Sequence, residues 1–512
     1  MTGIRIGQTA GAAVLLALFV PLLALAIRAD AWAGLTARDW AAIRFTLWQA
    51  AASAALSVLL GIPVARALAR RRFLGRDAVV LLLGAPFILP VIVAILGLVA
   101  VFGRSGPVSA ALAWFGLEPL SIYGPQGVLL AHVFFNLPLA TRLILQGWLA
   151  IPGERLRLAA SLGFGPSDTF RLLEWPMLRG VVPGIFVVIF LICTTSFAVA
   201  LALGGGPRST TVELAIYQAF RFDFDLSRVA VLGAAQLALA GVAAALSLRL
   251  TVPSAFGGGL DRAIPRWDSA GLGLRIQDAA AIGLACAFLL APLALMAAQG
   301  LPALPDMPPS IWGAALRSLV VALAAALVTT GLALALSMAA IRAGGGWVEI
   351  AGTLSVAASP LVLGVGLYIL LLPLADPVAL ALPITAAVNT LFALPFALRA
   401  ILPAMRELDR DFGRLASSLD LSGWPWLRLV ALPRLRRPAG FAAGLTAALS
   451  AGDLGVITLF GAPDGATLPL VMYQLMGSYR LEEAKAAALV LVVLSIGLFW
   501  LFEHGGRRAS PE

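Results

Sequence analysis

Residues 157–179 read RLAASLGFGPSDTFRLLEWPMLR, and residues 414–436 read RLASSLDLSGWPWLRLVALPRLR. Aligned without gaps at a shift of 257, 10 of the 23 positions are identical, including Arg157/Arg414, Leu158/Leu415, Ala159/Ala416 and Pro176/Pro433. Two unrelated Leu- and Ala-rich stretches of this length would share about 2, so the second is a repeat of the first. Neither is apolar enough to cross a bilayer, yet long apolar segments flank both. Each copy reads as a short helix, a break, a second short helix and a proline stop. Gly163 suits the break after the first helix, and Pro166 suits the first turn of the second. Asp420 replaces the glycine in the second copy and lacks its backbone freedom.

The chain around these stretches has 512 residues, 61% of them hydrophobic. A soluble fold cannot bury that much apolar surface, so the composition reads as an all-α, polytopic membrane protein. Segments of roughly 20 apolar residues, enough to span a bilayer, lie near 9–27, 46–65, 78–102, 127–149, 181–203, 229–248, 279–298, 315–341, 350–373, 379–401, 439–461 and 484–503. That gives twelve expected spans. The first follows Arg5 and precedes Ala31-Trp32-Ala33, a pattern that imitates a signal peptide. Its apolar run is long for one, so a retained helix is expected.

Arginine sets the expected orientation. The chain carries 36 basic residues, all arginine except Lys485. With the N-terminus inside, the inner loops and termini hold 26 of them and the outer loops 10. The positive-inside rule therefore predicts that both termini are cytoplasmic. The same rule explains the net charge of +10 without nucleic acid. Cys193 and Cys286 fall inside spans and the only histidines are His132 and His504, so neither a disulfide framework nor a metal site is expected.

The repeat extends beyond its opening stretch. Leu137-Pro138 and Leu394-Pro395 match at a shift of 257, and Tyr217-Gln218 and Tyr473-Gln474 at 256. Pro86 and Pro360 are matching mid-span prolines. Six spans separate equivalent points, so the duplication is parallel. The expected division is a six-span unit over 1–250 with its loop at 152–180, a Gly/Pro-rich cytoplasmic linker at 251–278, and a second unit over 279–512 with its loop at 402–438.

Both repeated loops face the cytoplasm in this topology. A short helix there, exposing the small residues Ala159, Ala160, Ser417 and Ser418 beside arginines, can enter a partner's groove. An anchor lying in the interface is the plainer reading of one copy; the matched pair favours docking.

These residues resemble the EAA loop of binding-protein-dependent ABC importer permeases: Glu-Ala-Ala, three residues, Gly, nine residues, an aliphatic residue, one residue, Leu-Pro. The first copy gives Arg157-Leu158-Ala159, Gly163, Leu173 and Trp175-Pro176. The second gives Arg414-Leu415-Ala416, Asp420, Val430 and Leu432-Pro433. The acidic first residue is absent from both. The segments 42–74, 131–138, 196–220 and 473–480 are similar to the thiamine/thiamine pyrophosphate permeases, a fused two-copy branch of that family. The resemblance implies a type I importer fold with a pseudo-two-fold axis along the membrane normal, placed in a bacterial inner membrane. It implies two ATPase subunits docked on Arg157, Leu158, Ala159, Ala160, Gly163 and Pro176, and on Arg414, Leu415, Ala416, Ser417, Asp420 and Pro433. A periplasmic thiamine-binding protein would deliver cargo. ATP and Mg would sit on the partners, with no cofactor on this chain.

Missing motifs agree with that division. A phosphate-binding loop needs Gly-Lys-Ser/Thr, and the single lysine sits in EEAKAAA. The run Gly204-Gly205-Gly206-Pro207 reads as a turn at the outer end of the fifth span. Polar residues inside spans are candidates for a substrate path because their burial is costly. Asp453 stands out, with Ser196 as its equivalent; either an interhelical bond or a place on the route would explain it. Glu213 reads as an exposed loop acid or part of the outer mouth. His132 and Asn136, one turn apart, read as interhelical hydrogen-bonding partners or as path residues. The rival functions are a ferric-ion or other small-solute permease of the same architecture, and a secondary transporter. The latter usually has its long inner loop after six spans, not after spans 4 and 10.

Overall fold

The computed structural model describes residues 2–28, 34–84, 86, 88–250, 266–269, 271–342, 346–421, 423–460 and 465–508. Residues 31–33 of the signal-like flank and 251–265 of the expected linker lie outside the described residues. The first half runs α1 (Thr2–Arg28), α2 (Ala37–Arg70), α3 (Arg76–Leu82), α4 (Val91–Phe102), α5 (Pro107–Trp114), α6 (Pro125–Leu149), α7 (Gly153–Ser161), α8 (Pro166–Thr169), α9 (Trp175–Thr194), α10 (Ala198–Leu203), α11 (Val212–Arg221) and α12 (Leu226–Leu248). The second runs α13 (Leu272–Gly300), α14 (Pro309–Arg342), α15 (Gly346–Thr353), α16 (Pro360–Leu371), α17 (Ala381–Ser418), α18 (Gly423–Trp426), α19 (Leu432–Ala451), α20 (Gly455–Phe460), α21 (Leu468–Gly477) and α22 (Leu481–Arg508).

Eleven of the described helical runs are long and apolar enough to cross a membrane. The expected ninth span is not one of them. It is broken between α15 and α16, where Ser359 caps α16 by accepting the Val362 N–H and Pro360 occupies the first turn. The expected third span breaks likewise before Pro90, which opens α4. In both cases proline pushes its predecessor out of helical geometry, and its own missing N–H is harmless only in a first turn.

The halves match in their bonds as well as their order. The Val212 N–H donates to Thr46 Oγ1 at 2.9 Å, and the Leu468 N–H donates to Ser318 Oγ at 2.8 Å. These twin bonds align α2 with α14 and α11 with α21. Within each half α2 packs on α6 and α9, and α14 on α17 and α19. The first helices are exchanged. The α1 helix lies against α14 and α16, while α13 lies against α2 and α4. Glycine permits each crossing. A Cβ on Gly97 of α4 would meet the Pro292 carbonyl of α13, and one on Gly366 of α16 would meet the Pro21 carbonyl of α1.

Helices α9 and α19 both stop short inside the protein, and α10 and α20 resume after gaps at 195–197 and 452–454. A break at this depth must satisfy its backbone internally. Gln49 of α2 donates to the Cys193 carbonyl at 2.9 Å, and Gln236 of α12 donates to the Thr194 carbonyl at 2.9 Å. The glycine run before Pro207 does form a turn, with Gly205 at φ 67° and Gly206 at φ 143°.

Candidate coupling loops and translocation site

The two repeated stretches share one backbone signature. After α7, Gly163 takes φ 70° and the Phe164 N–H reaches back to the Ala159 carbonyl at 3.0 Å. At the end of α17, Asp420 takes φ 52° and the Leu421 N–H reaches the Ala416 carbonyl at 2.8 Å. Both are left-handed helix terminations. The aspartate therefore makes the same break as the glycine, in a conformation that carries strain for a residue with a side chain.

Three expectations change. Pro176 and Pro433 are not stops. Each follows a π turn, at Phe170–Glu174 and Leu427–Ala431, and the helix then continues as α9 or α19. The wider turn shifts the hydrogen-bond register where proline has no N–H to give. The second copy has no separate first helix, because α17 runs unbroken to Ser418; in the first copy Pro152 interrupts the chain between α6 and α7. Finally, Ala159 and Ala416 are not exposed. They are 2% and 3% accessible and pack inward, while Arg157, Ala160, Arg414 and Ser417 stay exposed. The open face instead carries Leu158 and Leu162 in one loop and Leu415 and Leu419 in the other. Leucines four residues apart form one ridge on a helix, and the two ridges coincide in the repeat.

The loops are held by different chemistry. Glu174, fully buried, pairs with Arg66 of α2 at 2.7 Å and with Arg266 at 2.5 Å. Arg66 also lies over the Phe170 ring, 5.0 Å from its centroid. The equivalents of Arg66 and Glu174 are Met338 and Ala431, by the shifts that the twin bonds and the loop alignment define. These two join Met405, Leu408, Trp426 and Leu435 in an apolar cluster beneath the second loop.

The candidate path residues separate into two groups. His132 and Asn136 lie within first-half packing: Ser53 Oγ is 3.2 Å from His132 Nδ1, and Asn136 Nδ2 donates to the His132 carbonyl at 2.8 Å and to Cys193 Sγ at 3.4 Å. Ser196 and Asp453 occupy the equivalent breaks before α10 and α20. There Asp453 Oδ1 accepts the Gly455 N–H at 3.0 Å. Neighbouring Gly452 abuts Pro90 of the first half, where an added Cβ would come within 2.8 Å of Pro90 Cβ. Gly455 faces Phe197, whose ring stands 5.3 Å from that of Tyr217. Tyr473 is the repeat equivalent of Tyr217. An acid and several aromatic faces thus gather where the halves meet. Glu213 is no exposed loop acid: it is fully buried on α11 and accepts a hydrogen bond from Ser359 Oγ of the other half at 2.8 Å.

No family model matches the chain. Individual relatives do. The thiamine transport system permease protein of Brucella abortus (strain 2308) is 41% identical over 503 residues, covering 94% of this chain and 92% of that protein. That of Escherichia coli (strain K12) is 41% identical over 485 residues, covering 92% and 90%. The chain belongs to the family of thiamine transport system permeases. The molybdenum transport system permease protein of Azotobacter vinelandii is 31% identical over 185 residues, 36% of this chain and 80% of that protein. A shorter permease therefore shares the architecture with part of this thiamine permease. As a member of the family it is a multi-pass membrane transport subunit.

Some residues of the candidate site were not singled out from sequence. Tyr217 and Tyr473 were visible as a repeat match, and that match was their signal. Phe197 had none beyond its place beside Ser196. Glu174 was hidden because the repeat has Ala431 opposite it.

Proposed function

We propose that this chain is the membrane-spanning subunit of an ATP-driven importer that moves thiamine, and its phosphate esters as alternate cargo, from a periplasmic binding protein to the cytoplasm. Full-length similarity to thiamine permeases is the observation that carries this reading. Two ATPase subunits dock on the two loops, through the ridges Leu158/Leu162 and Leu415/Leu419. Exposed leucine pairs beside arginine are costly in water unless a partner covers them. ATP and Mg stay on those partners. ATP binding draws the loops together, opens the route outward and admits cargo; hydrolysis resets it. The chain supplies gate and lever and performs no covalent step.

Orientation and route are part of the proposal. Both termini are cytoplasmic, in a bacterial inner membrane. The Arg66–Glu174–Arg266 contacts put the segments after spans 2, 4 and 6 on one side, and the excess of arginine in those segments is what supports making it the cytoplasmic side. The route runs between the halves past Asp453, Ser196, Phe197, Tyr217 and Tyr473. Thiamine is cationic and aromatic, and cation–π contacts of about 0.5–2 kcal/mol suit transit without trapping. Liposomes holding the chain with its ATPase and cargo-loaded binding protein should take up labelled thiamine only with ATP inside. The chain alone should hydrolyse none. Uptake without ATP, or turnover by the lone chain, would overturn the reading.

A further inference from the structure

We infer that residues 266–268, ahead of the second half, are a strut of the first coupling loop, and that they make the two loops mechanically unequal. Trp267 Nε1 donates to the Phe164 carbonyl at 2.8 Å, next to the left-handed turn at Gly163. Arg266 binds Asp268 through two nitrogens, at 2.8 and 2.5 Å, and reaches Glu174 at 2.5 Å. The side chains of Arg266, Glu174 and Asp268 are 3%, 0% and 0% accessible. Burial alone would lower the Arg266 pKa; the Asp268 and Glu174 carboxylates outweigh it and hold the guanidinium above its ordinary value.

These contacts grip the loop at two points, at Phe164 before α8 and at Glu174, the last residue of the π turn. A few residues on, Asp278 at the start of α13 takes Arg70 at 2.5 Å and Arg71 at 2.6 Å, both from the end of α2. The first loop, α2 and the start of the second half are therefore tied through fixed charges. In the second loop Met338 and Ala431 stand where the first has Arg66 and Glu174, and they pack in an apolar cluster instead of an ion-pair network. A push on the first loop reaches α13 of the second half through ion pairs, whereas the second loop meets the first half where α18 packs on α1. Arg266 and Trp267 are positioning residues in this account.

The consequence for transport rests on the loops being ATPase docks; the mechanical inequality does not. The test uses the intact permease in nanodiscs, with Arg266→Gln/Trp267→Phe and with Trp267→Phe alone, which keeps an aromatic side chain and removes the indole donor. Amide exchange over 158–164 should accelerate at least about fivefold in the double variant and less in the single one, with 415–421 unchanged. Equal responses in the two loops, or none, overturn the proposal. If the double variant fails to reach the membrane, the single variant decides by the same comparison. In the assembled transporter, cargo moved per ATP should fall about twofold or more with ATPase binding retained. An unchanged ratio overturns the role in coupling and leaves the docking reading intact. Loss of ATPase binding also overturns it, because the segment would then belong to the dock itself.

Discussion

Glu213 accepts a hydrogen bond from Ser359 across the boundary between the halves, at 2.8 Å and out of reach of water. Ser359 is also the cap of α16, so one hydroxyl both ends a broken span and ties it to the other half. Glu213→Ala leaves that hydroxyl without its acceptor and should cost about 1–3 kcal/mol. Glu213→Gln keeps an acceptor and should cost less. Thermal unfolding of the detergent-solubilised protein checks the order; equal midpoints for both variants and the parent would remove Glu213 from the interface account.

The docking face gives a second prediction. Leu158→Glu/Leu415→Glu places charge on both ridges without touching the packed Ala159 and Ala416. Affinity for the ATPase should drop about tenfold or more, as for loss of an interface hot spot, with normal amounts of permease in the membrane. Co-purification measures it. Undiminished assembly would make the loops interfacial anchors. Substitution of Ala159 or Ala416 is a poorer probe, since both would disturb the loop's own packing.

Asp453→Asn tests the route. Asparagine keeps an oxygen for the Gly455 N–H, so the break before α20 survives. Thiamine uptake should slow about three- to tenfold, the worth of roughly 1 kcal/mol of attraction to the cation, with membrane levels and ATPase assembly unchanged. Full uptake, or a fall that merely follows protein loss, would make Asp453 structural.

Topology can be read directly. Ala160→Cys and Ser417→Cys, in a background with Cys193 and Cys286 replaced, put thiols on exposed positions of the two loops. A membrane-impermeant maleimide should label both in inside-out vesicles and neither in intact cells. Labelling of either from outside would reverse the proposed orientation.

Most of the helical plan was legible because crossing a bilayer demands long apolar runs, and their lengths are written in the chain. The breaks were harder. Pro360 and Pro90 act as helix starts, whereas Pro176 and Pro433 are absorbed after π turns; the same residue reads alike in all four places. Which face of the loop turns outward was also hidden. Ala159 and Ala416 suit both a partner's groove and the underside of their own helix, and only the fold decides. Glu174 was legible as an acid in a loop, but its partners lie more than a hundred positions upstream at Arg66 and about ninety downstream at Arg266.

The glycine–proline crossings at Gly97/Pro292 and Gly366/Pro21 carry an implication for ancestry. Each half lends its opening helix to cover the flank of its sibling. A lone half would leave that flank bare to lipid and its own first helix without a seat. An unfused forebear with this arrangement must have worked as a dimer of interlocked copies. Joining the copies end to end fixes their ratio at one to one and frees the two sequences to drift apart, as Glu174 and Ala431 have done.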